Sequence, residues 1–224
     1  MNILSTGAVK PVLLRVLDSF RRDTGHNVTV LFATAPAILE QYRSSALFDV
    51  VIAPPRVLDD LPGTGRSGER VLLGSIGVGV MVRNGAPLPA VTTVKQFEQA
   101  LHGADALVYN QASTGIYLEA LFARLGIAEA LAAKTIRYPD FAAVLQHVSS
   151  APGRVLGLGA TTVIIESEPK GVRFAGPLPA EIQNFTAYEC AMMTGCASHQ
   201  IAQDFLRYLT APATRHQLAV AGIR

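Results

Sequence analysis

Asn2-Ile3-Leu4-Ser5-Thr6-Gly7-Ala8-Val9-Lys10-Pro11-Val12-Leu13-Leu14-Arg15-Val16-Leu17-Asp18-Ser19-Phe20 reads as a strand, a hydroxyl-and-glycine turn and a helix in direct succession. Residues 2–4 are a short apolar strand. Val9, Val12, Leu13, Val16, Leu17 and Phe20 then recur at helical spacing, with Pro11 tolerated in the first turn. Gly25 closes that helix. The same handover recurs at Ala33-Thr34-Ala35-Pro36, at Ser113-Thr114-Gly115 and at Gly159-Ala160-Thr161-Thr162. A helix N-terminus presents unpaired N–H groups and roughly half a positive elementary charge, to which Ser or Thr adds a hydroxyl. Several such turns aimed at one cleft would hold a small anion with little help from Lys or Arg. Each turn alone also reads as a plain helix cap, worth about 1 kcal/mol. Together they favour a site, because ligands of α/β sheets gather at the carboxyl ends of the strands.

Working outward, residues 27–32 alternate as a strand, 37–45 support a second helix, and 48–52 form a continuous apolar strand of the kind buried in a parallel sheet. This β-α-β-α-β order predicts an α/β sheet with right-handed crossovers. A Gly/Pro-rich surface stretch over 54–68 follows, then an extended run over 70–82 and a strong turn at Arg83-Asn84-Gly85-Ala86-Pro87. The pattern then restarts with a helix over 93–101, a strand over 106–109, helices over 114–125, 128–134 and 141–149, and a strand over 155–158. After residues 171–179 comes an alternating strand over 185–193. Ser198 caps a helix over 201–209, and 211–220 form a last short helix. The restart predicts two α/β lobes: residues 1–80 with 190–224, and residues 81–189. Extended crossings near 77–82 and 186–190 would join them.

The 224 residues are 50% hydrophobic, enough to bury real cores, and 19 basic against 17 acidic side chains leave a net charge of +2. No charge run resembles a nucleic-acid footprint or a polybasic membrane anchor. The apolar stretch over 71–82 contains glycines and falls short of the ~20 residues of a membrane helix. Cys190 and Cys196 make neither a disulfide framework nor a zinc pattern and read as two buried thiols. Paired glycosidase carboxylates, a Cys/His nucleophile pair and a phosphate P-loop are absent as signals, which removes most enzyme classes. No metal and no cofactor are expected. The first strand follows Met1 almost at once, so no signal peptide is visible; the chain is cytoplasmic if Met1 is the native start, or a leader has been removed.

The ordered set of elements resembles the type II periplasmic binding proteins, in their molybdate-binding-like branch, over essentially the whole chain. The resemblance rests on Ser5-Thr6-Gly7-Ala8 leading into a long helix, on Phe48-Asp49-Val50-Val51-Ile52-Ala53, on Tyr109-Asn110-Gln111-Ala112-Ser113-Thr114-Gly115, and on Phe205-Leu206-Arg207-Tyr208-Leu209-Thr210-Ala211-Pro212-Ala213. It implies a two-lobe fold with an interlobe ligand cleft and two hinge crossings. It also implies a small anionic ligand, a periplasmic location, and a monomer working with an ABC-transporter permease. Carried over by position, the ligand residues are Ser5, Thr6, Thr34, Ser113, Thr114, Gly159, Ala160 and the strand tyrosine Tyr188. The second turn departs from the family, which commonly has a serine there. Gly176-Pro177-Leu178-Pro179-Ala180-Glu181-Ile182-Gln183 and Ser113-Thr114-Gly115-Ile116-Tyr117, with Glu119 beyond, are similar to a sub-branch that includes aconitate isomerase. That similarity implies a di- or tricarboxylate ligand.

Two functions follow: a solute-binding protein for a carboxylate or oxyanion, or an isomerase shifting a proton beside a carboxylate. The second needs a base, for which Glu119, His147, Tyr188 and Glu189 are the candidates. Tyr188 also reads as a core aromatic, and Glu189 faces away from it unless the strand carries a bulge. Lys10, Arg56 and Arg154 lie near predicted site turns and read equally as solvated surface charges. His26, His102, His199 and His216 carry no assigned role.

Overall fold

The computed structural model describes residues 1–44, 48–62 and 70–224. In chain order the elements are β1 (Asn2–Thr6), α1 (Lys10–Thr24), β2 (Thr29–Ala33), α2 (Ile38–Ser44), β3 (Val50–Ala53), α3 (Pro55–Asp59), β4 (Arg70–Ile76) and β5 (Val78–Arg83). There follow α4 (Val94–Gly103), β6 (Ala106–Asn110), α5 (Ser113–Arg124), α6 (Ala128–Ala132), β7 (Thr135–Tyr138), α7 (Phe141–Ser150), β8 (Val155–Ala160) and α8 (Thr161–Glu166). The chain ends with β9 (Val172–Pro177), β10 (Thr186–Met192), α9 (His199–Thr210) and α10 (Pro212–Val220). It divides into unit 1, Met1–Ile76 with Thr186–Arg224, and unit 2, Gly77–Phe185.

Unit 1 is built on a sheet of order β2-β1-β3-β10-β4, in which β1 runs parallel to β2 and β3 while β10 runs antiparallel to β3 and β4. Its central strands are apolar on both faces: Ile3, Leu4 and all of β3 are buried. Helix α1 buries the stripe Val12, Leu13, Val16, Leu17 and Phe20, and Phe20 meets Phe205 of α9 edge to face at 5.2 Å. Gly25 ends α1 in the left-handed region at φ 73°, as its position predicts.

Unit 2 repeats the plan with order β7-β6-β8-β5-β9; β6 is parallel to β7 and β8, and β5 is antiparallel to β8 and β9. One cluster of buried side chains gathers Phe97, Leu107, Leu118, Leu121 and Leu158, and another Met81, Val108, Val144, Val148 and Ile164. In each sheet the reversed strand is the first element after a passage between units. It therefore begins at the edge where the parallel strands end, and that edge positions the candidate site.

Several expectations change. The run over 70–82 is not one extended segment. It breaks at Gly77 into β4 and β5, which belong to different sheets. Pairing with β8 and β9 places residues 77–80 in unit 2, and pairing with β3 and β4 places 186–189 in unit 1. The surface stretch over 54–68 begins with α3, opened by Pro55, whose missing N–H costs nothing in a first turn; residues 63–68 of that expectation, and Ser45 of the second helix, lie outside the described residues. Strands β7 and β9 are additional. Ser198 precedes α9 but makes no side-chain cap bond. Cys190 is buried as expected, whereas Cys196 is partly exposed.

Candidate functional site

In unit 1, β1 ends at Ser5 and Thr6, whose exposures are 0% and 3%. The Ser5 hydroxyl donates to the carbonyl of Thr6 at 3.3 Å. Thr6 Oγ1 has no hydrogen-bond partner, alone among the buried side-chain N and O atoms of the described residues. Register sets Thr6 opposite Ala33, so Thr34 follows at the same edge. Short 3-10 turns come next, Gly7–Val9 and Ala35–Ala37, and neither threonine caps its turn with its hydroxyl.

Tyr188 arrives at that edge on β10, since Glu189 pairs with Ala53 at the end of β3. Its ring is buried, and burial pushes the phenol up to about 12, so it keeps its proton at neutral pH. The register of β10 against β4 shifts between Tyr188 and Glu189, supplying the irregularity that Glu189 needs in order to share a wall with Tyr188. The Glu189 carboxylate lies 3.5 Å from the Arg70 guanidinium, which also bonds Asp59 at 2.8 Å. Lys10 rests over the Phe32 ring, 5.2 Å from its centre, and Arg56 stands exposed in α3 just past β3.

In unit 2, β6 ends at Asn110, whose side chain accepts the N–H of Ala112 at 3.3 Å and turns the chain into α5. Ala112 holds the cap position without a hydroxyl, so no side chain caps the first N–H groups of α5; Ser113 and Thr114 in its first turn are partly exposed. Gly115 is required here, because a Cβ at that residue would overlap the carbonyl oxygen of Asn110. Strand β8 ends at Gly159 and Ala160, which pair with Gly79 and Val78 of β5, and Gly79 pairs with Pro177 of β9. No side chain caps α8 either.

Ser5, Thr6, Thr34 and Tyr188 thus gather at the strand-end edge of unit 1, and Ser113, Thr114, Gly159 and Ala160 at that of unit 2. The plain-cap reading fails at these turns, although the chain caps helices elsewhere. Thr93 accepts from Gln96 N at 3.3 Å ahead of α4, and Asp140 from Ala143 N at 3.0 Å ahead of α7. At the candidate turns no residue in the cap position spends its side chain on the helix start, although the Thr161 N–H is taken by the Gly77 carbonyl at 2.9 Å.

Other candidates lie elsewhere. Arg154 pairs with Asp105 at 3.5 Å at the opposite edge, where β6 and β8 begin; the backbone N–H of Arg154 is the main cause that holds the Asp105 carboxyl below the usual range. His147 Nδ1, on α7, is 2.9 Å from the hydroxyl of Tyr138 at the end of β7. Glu119 is ion-paired to Arg137 on the exposed side of unit 2. Asn110, Tyr117 and Gln183 contribute polar contacts that residue type alone did not flag. Among the described residues, no group of three or more His, Cys, Asp or Glu is placed to hold a metal, and no helix is long and apolar enough to cross a membrane.

The sequence matches, over residues 1–224, the family described as bacterial extracellular solute-binding protein. Aconitate isomerase of a Pseudomonas species is 25% identical over 237 residues, covering 100% of this chain and 87% of that protein. The periplasmic molybdate-binding protein of Azotobacter vinelandii superposes with a TM-score of 0.80 at 17% identity, covering 100% of this chain and 98% of that one. L-phospholactate-bound PEB3, a protein of Campylobacter jejuni, superposes at 0.74 with 12% identity, covering 100% and 99%. The chain has the α/β fold of these two structures.

Proposed function

Because this chain belongs to the bacterial extracellular solute-binding proteins, we propose that its strand-end donors bind one small anion and that the anion is a polycarboxylate. The observation that carries the reading is the Thr6 hydroxyl, buried and unpartnered among the described residues. Leaving such a group unpaired costs about 1–3 kcal/mol. A ligand oxygen at Thr6 would recover that cost. Tyr188, protonated at neutral pH, is a second neutral donor. The uncapped start of α5 adds N–H groups and the positive end of a helix dipole.

The donors belong to both units, and we propose that the units act as two lobes taking the same ligand. What supports this is connectivity: β5 and β10 each begin at a donor edge directly after a passage of the chain. A polycarboxylate is preferred over a tetrahedral oxyanion for two reasons. The likeness to aconitate isomerase, over the whole chain, is higher in sequence than the likeness to molybdate-binding proteins. Ala33, Ala35 and Ala112 are also small, and Lys10 and Arg56 lie past the ends of β1 and β3 within unit 1, where a second carboxylate would find a basic group. Charge-assisted bonds from neutral donors hold the first carboxylate without a buried Arg. In this reading the protein works outside the cytoplasm as a monomer, needs no cofactor, and delivers its ligand to an ABC-type permease.

The similarity to aconitate isomerase also supports a second reading, proton transfer on the bound carboxylate. Of the candidate bases, Glu119 and His147 are engaged elsewhere and Tyr188 holds its proton. Glu189 is left, beside Tyr188 on the bulged strand but paired with Arg70. Binding without turnover is therefore the reading adopted. Calorimetry with cis-aconitate, trans-aconitate, citrate, molybdate and sulfate tests it. Heat is expected from at least one carboxylate; tight molybdate binding with silence from every carboxylate would return the chain to an oxyanion binder. Interconversion of cis- and trans-aconitate, followed by absorbance, would make it an isomerase.

A further inference from the structure

The side-chain amide of Gln183 is fully used by main chain. Its Oε1 accepts the N–H of Val78 at 2.7 Å and of Asn184 at 3.0 Å, while its Nε2 donates to the carbonyls of Val78 at 2.9 Å and Leu178 at 3.3 Å. Gln183 thus takes both backbone groups of Val78, as a residue of a neighbouring strand would. Val78 opens β5 just after the chain enters unit 2 at Gly77, and Asn184 lies just before it leaves at Phe185. One side chain joins the entering and the leaving segment. Gly77 permits the approach: a Cβ there would stand 3.1 Å from the Phe185 ring and 3.3 Å from the Gln183 amide.

A second bond reaches this junction from the donor edge. The Tyr117 hydroxyl donates to the carbonyl of Ile182 at 2.6 Å. Tyr117 lies four residues beyond Ser113 on α5, so the two share a helix face. Ile182 adjoins Gln183. The polar path therefore runs from the first turn of α5 through Tyr117 and Ile182 to Gln183, and from there to Val78 and Asn184.

We infer that Tyr117 and Gln183 are positioning residues that couple the donor-bearing turn of α5 to the two passages of the chain. They touch no ligand in this scheme. Motions between lobes are absorbed by a few residues at such passages. A side chain that orders both passages in advance reduces the freedom lost on binding and so raises affinity. Linkage is reciprocal: a ligand at Ser113 and Thr114 disfavours the open state at Val78 and Asn184 by the factor with which their order tightens the ligand. The ligand half of this inference rests on the anion-binding reading. The coupling itself is a property of unit 2.

Amide hydrogen exchange on the full chain, without ligand, tests the coupling first. Tyr117→Phe is expected to speed exchange at Val78 and Asn184, to which Tyr117 makes no hydrogen bond, by about tenfold, with the amides of α1 unchanged as the control for folding. Unchanged exchange at Val78 and Asn184 would overturn the inference. The affinity of Gln183→Ala for any anion that the wild-type chain binds is then expected to fall about tenfold. Gln183→Glu, which keeps the acceptor and loses the donor, replaces it if Gln183→Ala does not fold. Unaltered affinity alongside faster exchange would overturn the ligand half. If the wild-type chain binds none of the five anions, the functional reading falls, and the exchange result still decides the coupling.

Discussion

The carboxylate of Asp49 accepts the backbone N–H of Ser198 at 3.0 Å, across 149 residues of chain. Its other oxygen accepts the N–H of Asn2 at 2.8 Å. One side chain thereby fastens the start of β1, the approach to β3 and the lead into α9. Burial by itself would raise the Asp49 carboxyl, but the donors from Asn2 and Ser198 outweigh it and hold it below its ordinary 3.8. A depressed folded value means that this carboxylate stabilises the fold above its unfolded value and ceases to do so as pH falls through the folded one. Denaturant melts should show Asp49→Ala less stable than wild type by about 1–3 kcal/mol at neutral pH. The gap should narrow below about pH 4. An equal gap at both ends would contradict this account.

Thr6→Val keeps the shape of the side chain and removes the unpartnered hydroxyl. Without ligand the variant should be as stable as wild type or more stable, by up to about 1–3 kcal/mol, because nothing polar is left unpaired. Affinity for the bound anion should fall at least tenfold, the loss of one good hydrogen bond to a charged group. Thermal melts and calorimetry on the same sample would show the two effects moving in opposite directions.

Tyr188 should ionise late. Its phenol is pushed up to about 12 by burial, so an ultraviolet titration of the six tyrosines should contain a component near that value. Tyr188→Phe should lack it. Because the folded value is raised, the stability that depends on the neutral phenol is intact below 10.0 and declines between 10.0 and about 12. A spectrum whose late component persists in Tyr188→Phe would assign it to another ring.

Gly115→Ala should be among the most damaging single changes in unit 2. The added methyl would overlap the carbonyl oxygen of Asn110, which is backbone and cannot swing aside. A loss of about 3 kcal/mol or more is expected, or a shift of α5 that abolishes anion binding. Gly126→Ala provides the contrast. Space around that residue is open, and only its left-handed φ of 71° resists the change, at about 1 kcal/mol.

Where apolar pattern and position agreed, the sequence was easy to read. Strand β3 is apolar at every residue and buried on both faces, and α1 carries its stripe up to a glycine stop. The break at Gly77 was hidden because apolar alternation runs unbroken from β4 into β5, and pairing partners rather than composition assign each half to its sheet. Strands β7 and β9 sit at sheet margins with partly exposed faces, and β9 ends in Gly176 and Pro177, residues that weaken a strand signal. The turns of the candidate site could be recognised because hydroxyls follow strands there. Gln183 could not, because its role is set by the main chain of a residue 105 positions away.

The layout of unit 1 also constrains how the protein is made. Its sheet places β10 between β3 and β4, and β4 pairs with β10 alone. A ribosome must therefore deliver all of unit 2, and then residues 186–192, before the first sheet can close. Until then the fully apolar β3 presents an open backbone edge, a template for wrong pairing with other nascent chains. Unit 2, continuous from Gly77 to Phe185, carries no such debt and can complete its own sheet first. Residues 1–76, made before their distant partner strand, are accordingly the part of this polypeptide most open to wrong pairing during synthesis.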